Sequence, residues 1–314
     1  MGVSGILVID KPVGPTSHDV VAQVRRLLRE KKVGHTGTLD PLATGVLPLV
    51  IGRATKVARY LTGGDKVYRA TFRLGVSTTT FDADGEVTAQ RPVNVTRDQV
   101  DAALGEFVGD ITQIPPMYSA KKVQGKRLYE LARQGVEVER EPKHVKVHWI
   151  KLLALQGPDL TVEVRCSAGT YMRALAHDVG EALGCGGHLK ELRRLAAGAF
   201  TLDDAVMLDA LERDPALAVQ KVLPIARGLS EVPRIKVPMH VARMVVAGHQ
   251  LSVADLRTLD TPTFVTYDVV TLWLDSGELL AVARALLASE ELNRSRRDRR
   301  ALKTERVIAE LARS

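Results

Sequence analysis

The sequence predicts an α+β protein on a mixed, largely antiparallel sheet flanked by helices, followed by a small β-rich C-terminal domain. Strand-like and helix-like segments alternate irregularly rather than in the strict order of a parallel sheet. Several apolar runs follow one another at hairpin spacing. Around residues 227–238 the chain turns irregular and proline-containing, and strand-like runs such as TFVTYDVVTLWL come after it. With 314 residues and 45% hydrophobic content the chain can bury a full core. The expected division is a larger domain over 1–228 with a basic arm at about 119–151, a β-rich domain over 232–287, and a basic tail over 288–314.

GILVID, from Gly5 to Asp10, is a short apolar run ending in Lys11-Pro12, the pattern of a buried strand delivering a loop. A helix follows, which Ser17 can cap. Val20, Val21, Val24, Leu27 and Leu28 recur on its apolar side, and Arg25, Arg26 and Arg29 fall opposite. HTGTLDPLATGVL, His35 to Leu47, carries Gly, Pro and Thr punctuation that predicts a loop. Between Val67 and Leu74, Tyr68, Ala70, Phe72 and Leu74 alternate with Arg69, Thr71 and Arg73, as in a half-exposed strand, and DADG then makes a turn. Thr96-Arg97-Asp98-Gln99 is a capping-box pattern ahead of Val100, Ala103, Leu104 and Phe107.

Ser119 to Lys151 holds nine Lys or Arg against four Glu, with a short helix RLYELARQ stopped by Gly135. Its low apolar content predicts an arm rather than a core element. DLTVEVRC is another strand, and SAGTYMRALAHDVGEALG turns into a helix ended by Gly184. In the tail, RSRRDRR precedes Leu302, Val307, Ile308 and Leu311 at roughly helical spacing, which predicts a basic terminal helix.

A formal net charge of +7 points to a polyanionic partner, because clustered Lys and Arg gain affinity by releasing counterions from phosphates. Cys166 and Cys185 are the only cysteines, in no metal-ligand spacing, so no zinc site and two reduced thiols are expected. No apolar run approaches the length of a membrane span, and the N-terminus lacks a signal-peptide layout. A soluble, cytoplasmic protein is expected.

The most informative segment is His35 to Leu47. Asp40 lies between Gly- and Thr-rich turns, and Pro41 restricts its backbone toward extended geometry, so the loop can hold a carboxylate in one pose. No phosphate-binding G-x-x-x-x-G-K-[ST] pattern occurs. His177-Asp178 has the composition of a general-base pair, but helix neighbours do not face one another, and a structural role is expected for both.

GHTGTLDPLATGVLPLVIGRATK resembles the catalytic motif of the TruB pseudouridine synthases, and GILVIDKPVGPTSHDVV resembles their N-terminal motif. Three further segments match in order: DKVYRATFRLG with STTTFDADG, then PPMYSAKKVQGKRLYELAR, then CSAGTYMRALAHDVGEALG with HLKELRRL. Together they run from about Gly5 to Leu195. The resemblance implies a pseudouridine synthase fold with a PUA-like C-terminal domain, and isomerisation of the uridine at position 55 in the tRNA T loop. It implies no cofactor and no metal, a monomer, and tRNA recognised through its T arm. Residue by residue, it makes Asp40 the nucleophile, Tyr68 the ring stacked on the target base and Arg173 the partner of Asp40. His35 takes the place of a histidine acting in base flipping, and Tyr171 and Leu192 of contacts to the flipped nucleotide. Lys11 matches a lysine near the site, and Asp82 an acidic residue near the RNA path.

These residue types suit the reaction. A carboxylate can attack covalently and hold one fragment while the other turns, dividing one hard step into easier ones. The stacked target must be extruded and given a new ring to lie on. Aromatic residues are 4% of the chain, so affinity must come mainly from phosphates and RNA shape, with Lys121, Lys122, Lys126 and Arg127 of the arm as contacts. Two alternatives stand beside this reading: a synthase of the RNA-guided type, and a chaperone that folds tRNA.

Overall fold

The alternating apolar runs form one ten-stranded sheet. The computed structural model describes residues 2–117 and 138–310, with only the backbone of Lys122–Val123 and Lys126–Arg127 between them. Across the sheet the main path runs Ala205–Met207, Gly5–Lys11, Ala43–Ile51, Gly187–Ala197, Lys66–Leu74, Asp159–Cys166, Lys143–Gln156 and Gly109–Gln113. Two pairings on that path are parallel, Gly5–Lys11 with Ala205–Met207 and Gly187–Ala197 with Ala43–Ile51. The others are antiparallel. The expected mixed, largely antiparallel sheet is therefore the observed one.

Period two decides which face is inside. Tyr68, Ala70, Phe72 and Leu74 point into the core with Leu160, Val162 and Val164 of the neighbouring strand. Helices cover that face, among them Ser17–Leu28 through Val20, Val21 and Val24, Arg97–Glu106 through Val100 and Leu104, and Met172–Ala182 through Leu175, Ala176 and Val179. Burying each such side chain is worth about 1.5–3 kcal/mol relative to exposure. The Thr96 capping box forms with Gln99 as expected. The first helix is capped by Thr16 in a reciprocal box with Asp19, not by Ser17, which is buried one position inside.

Four further expectations change. The irregular loop is shorter than His35 to Leu47, because Val33–His35 and Ala43–Ile51 are paired strands. The basic arm does not reach Lys151: Lys143–Gln156 is an inner strand with Val145 and Val147 buried between exposed neighbours. The expected helix at RLYELARQ and the side chains of Lys121, Lys122, Lys126 and Arg127 lie outside the described residues. The 227–238 segment is not simply a linker, since Arg234–Val237 pairs in parallel with Val269–Leu274. Finally, among its described residues the tail is no basic helix. Leu302–Val307 is a strand completing the C-terminal sheet beside Leu279–Ala285, and Leu302 is fully buried in that domain's core.

The C-terminal sheet docks on the larger domain. Trp273, Leu279, Val282 and Ile308 pack against Val57 and Leu229. At the edge of this seam the Glu305 carboxylate accepts from Arg284 at 2.8 Å and from the Tyr60 hydroxyl at 2.6 Å, and pairs with Arg59. The Arg284 hydrogen bond is the main cause that brings the Glu305 carboxyl from its usual 4.5 down to about 2. A carboxyl depressed on folding contributes stability above pH 4.5 that is lost as pH falls towards 2. Glu305→Gln should lower the melting temperature at pH 7 by about 2–4 °C. That gap should narrow as the pH is lowered; a gap constant from pH 7 to pH 3 would show that Glu305 is not ionically clamped.

Candidate active site

Residues 36–42 cross the mouth of the sheet without regular hydrogen bonding, so their carbonyls need partners. Three side chains from other elements supply them. Lys11 donates to the carbonyls of Pro12, Pro41 and Ala43 at 2.9, 3.3 and 2.7 Å. Ser17 donates to the Leu39 carbonyl at 3.0 Å and accepts from the Leu39 N–H at 2.8 Å. Arg194 donates from Nε to Val46 at 2.7 Å and from its two terminal nitrogens to Thr38 and Gly37 at 3.3 and 3.1 Å. Asp40 stands in the middle of this framework.

Gly45 lets the strand after the loop come this close. Its φ is +99°, and a Cβ there would lie 2.2 Å from the Arg194 carbonyl oxygen.

Above the loop lies a cavity of about 370 Å³, within the usual range of small-molecule pockets. Asp40, Tyr68, Tyr171, Arg173, Leu192 and Arg194 contribute to its wall. Arg173 projects from the first turn of its helix, and one guanidinium nitrogen meets the Asp40 carboxylate at 3.0 Å. Another meets Asp82 at 3.2 Å. Asp82 is nearly sealed and is braced by the Thr80 hydroxyl and the Asp84 N–H. The Arg173 and Asp82 side chains are each 6% exposed, whereas that of Asp40 is 37% exposed. The arrangement is thus one guanidinium held rigidly from behind and presenting an accessible carboxylate to the pocket. Tyr68 lies beside it on the core face, its hydroxyl pushed up in pKa by burial.

The structure brings Asp40, Tyr68, Arg173, Tyr171 and Leu192 together around one cavity. Lys11 and Asp82 act from below and behind it without lining it. His35 does not line it either. Its ring packs edge-on against His18, its Nδ1 has no hydrogen-bond partner among the described residues, and burial lowers its pKa to about 4. His177 stacks on Phe81 at 4.0 Å, as a structural residue does. Among the described residues no group of acidic, His or Cys side chains could hold a metal ion, and no helix is long and apolar enough to cross a membrane.

A family model described as "TruB family pseudouridylate synthase (N terminal domain)" matches residues 25–172, and one described as "tRNA pseudouridylate synthase B C-terminal domain" matches 173–225. The chain is 48% identical over 294 residues to a tRNA pseudouridine synthase B of Burkholderia lata, covering 92% of this chain and 90% of that one. The chain belongs to the TruB family of pseudouridine synthases. A tRNA pseudouridine synthase B of Aromatoleum aromaticum is 49% identical over 80% of this chain and 82% of its own. The fold of this TruB-family enzyme also matches that of the crystal structure of a Cbf5-Nop10-Gar1 complex. The TM-score is 0.78 at 28% identity, over 97% of this chain and 85% of that one. It is therefore an enzyme that isomerises uridine in tRNA.

Two cations of the TruB-family pocket wall were not singled out from the sequence, Arg194 and Lys66. Lys66 is buried in the wall and donates to the carbonyls of Thr62 and Gly64, and burial lowers its pKa to about 8. Lys11 is lowered to about 8 for the same reason, with Asp40 opposing the shift. Their detectable signal is a charge on the apolar side of a strand, as at Lys66, two positions before Tyr68. Gly45→Ala should destabilise the protein by about 2–4 kcal/mol, because either the left-handed backbone or the contact with the Arg194 strand must give way. Urea unfolding measures it, and a loss below about 1 kcal/mol would mean that the two strands separate easily.

Proposed function

We propose that this TruB-family synthase acts on the uridine at position 55 in the T loop of tRNA, extrudes it from the stack, and uses Asp40 as a covalent nucleophile. The observation that carries the reading is the Asp40–Arg173 ion pair, its carboxylate open to a nucleotide-sized cavity beside Tyr68. A base turned into that cavity meets the Tyr68 ring and the Leu192 side chain, while Asp40 faces the sugar. Arg173 fixes the carboxylate rotamer so that attack needs no search. Residues 1–228 serve as the catalytic domain. The C-terminal sheet serves as a PUA-like RNA-binding unit, and the basic arm grips the T-arm phosphates.

The RNA-guided alternative draws support from the likeness to the Cbf5 complex. Relatives at nearly half identity named tRNA pseudouridine synthase B favour direct action on tRNA. A purely chaperoning role leaves the Asp40–Arg173 pair without a purpose.

Asp40→Asn should keep tRNA affinity within about threefold, since phosphates dominate binding, yet abolish tritium release from uracil labelled at carbon 5. Residual turnover within about tenfold of wild type would sink the nucleophile assignment.

Neutralising Lys121, Lys122, Lys126 and Arg127 together should weaken binding at low salt and make the log–log salt dependence of affinity shallower. An unchanged slope would remove the arm from the RNA interface.

A further inference from the structure

Arg194 is among the largest fully buried side chains of the molecule, at 1% exposure. A guanidinium taken out of water is normally matched by a carboxylate. Among the described residues Arg194 has none, and the Asp10 carboxylate nearby in the sheet belongs to Arg193 at 2.7 Å. The Arg194 hydrogen bonds go instead to Gly37 and Thr38 ahead of Asp40 and to Val46 after it. In the sheet register Arg194 is also the cross-strand partner of Tyr68. One side chain therefore ties the start of the Asp40 loop to the strand that follows it and stands opposite the ring that faces it.

The reaction gives that charge a use, one that rests on the uridine isomerisation and the Asp40 role proposed for this enzyme. When the C1′–N1 bond breaks, its electron pair stays with the uracil ring, which becomes an anion while C1′ is taken by the carboxylate. The pair is returned when C5 bonds to C1′ and the C1′–O bond to Asp40 breaks, releasing the carboxylate; the C5 proton is then lost and N1 gains one, so atoms and charge balance. Arg173 is already committed to Asp40 and Asp82. Arg194 faces the same cavity and answers to no carboxylate among the described residues.

We propose that Arg194 is a positioning residue of the isomerisation. It fixes the Asp40 loop relative to Tyr68 and supplies the buried positive charge that the detached uracil anion needs. The charged and titratable groups around Tyr68 are Arg194 on one neighbouring strand, Cys166 on the other, Lys66 on its own strand, Asp40 on the loop and Arg173 on the covering helix. Burial raises the pKa of the Tyr68 hydroxyl, and the Arg194 cation opposes that rise. Arg194 thus bears on both partners of the reaction through contacts that no other described residue duplicates.

The test compares wild type, Arg194→Lys and Arg194→Met as full-length proteins. Three quantities are measured: single-turnover tritium release from tRNA, tRNA affinity, and the pH titration of a fluorotyrosine resonance at Tyr68, assigned with Tyr68→Phe. The lysine variant keeps the charge but loses the fork, so its rate should fall about tenfold; the methionine variant should fall about 100-fold or more. Affinity should stay within about threefold in both, because phosphate contacts are untouched. The Tyr68 resonance should titrate at higher pH in the methionine variant and return toward wild type in the lysine variant. If the methionine variant does not fold, the lysine variant decides: a rate down about tenfold with affinity within about threefold supports the proposal, and rate and affinity falling together overturns it. Rates within about threefold of wild type would overturn the proposal. So would rate and affinity falling together with an unmoved Tyr68 resonance, the outcome of a merely structural cation. A wild type that releases no tritium from tRNA would instead defeat the isomerisation reading, and the resonance would still decide whether Arg194 governs Tyr68.

Discussion

Main-chain carbonyls that leave a regular sheet inside a protein must find donors, and here that need shapes the whole site. The chain abandons strand geometry between His35 and Ala43, at the mouth of an apolar sheet. A buried carbonyl left unpaired costs about 1–3 kcal/mol, and several in succession would melt the loop. Lys11, Ser17 and Arg194 come from a strand, a helix and a second strand, each ending on these carbonyls or on the one just beyond them, at Val46. The loop's shape is therefore set by the tertiary fold, and Asp40 inherits that rigidity without making the contacts itself.

The second constraint is the order of burial around Arg173. Asp82 and Arg173 are nearly closed off while Asp40 is not, so the guanidinium faces one carboxylate for structure and one for solvent-side chemistry. Had both acids been equally buried, the pair would form a static network with no face for a substrate. Had Arg173 been exposed, solvent would screen it and its rotamer would be free. The graded burial lets one side chain be both anchor and partner.

Much of this was legible in the sequence, and what was hidden had local causes. Tyr68 could be placed on the inner face of a strand because Val67–Leu74 alternates without interruption, and Asp40 in a loop because Gly, Thr and Pro mark it; their roles, like that of Arg173, came from the resemblance. Arg194 was hidden by the irregularity of its strand. A register shift between Leu189 and Glu191 breaks the alternation, so Leu189, Leu192 and Arg194 all turn inward, and a second shift follows between Arg194 and Ala196, so no simple period shows it. The neighbouring Arg193 is bound to Asp10 on the other face, which makes the pair look like one basic surface patch. The last strand was masked too: LKTERV is apolar only at its two ends, and it follows a run of exposed arginines whose composition outweighs it. His35 was placed by motif alone, and the fold sets it against His18 instead of in the cavity wall.

The remaining property of the site is its charge. Four cations, Lys11, Lys66, Arg173 and Arg194, stand at or just beneath the cavity, against two carboxylates, Asp40 and Asp82. The imbalance is visible in Lys11 and Lys66, whose ammonium groups are held at about 8, well below the ordinary lysine value, because burial there is not matched by enough negative charge. A neutral small molecule entering the cavity would leave that strain in place. A nucleotide drawn from an RNA chain brings a phosphodiester on each side of the base, negative charge that a neutral ligand lacks. On the proposed function, a base that arrives attached to its backbone would bring to this cation-rich cavity negative charge that the held carboxylate's chemistry does not itself supply.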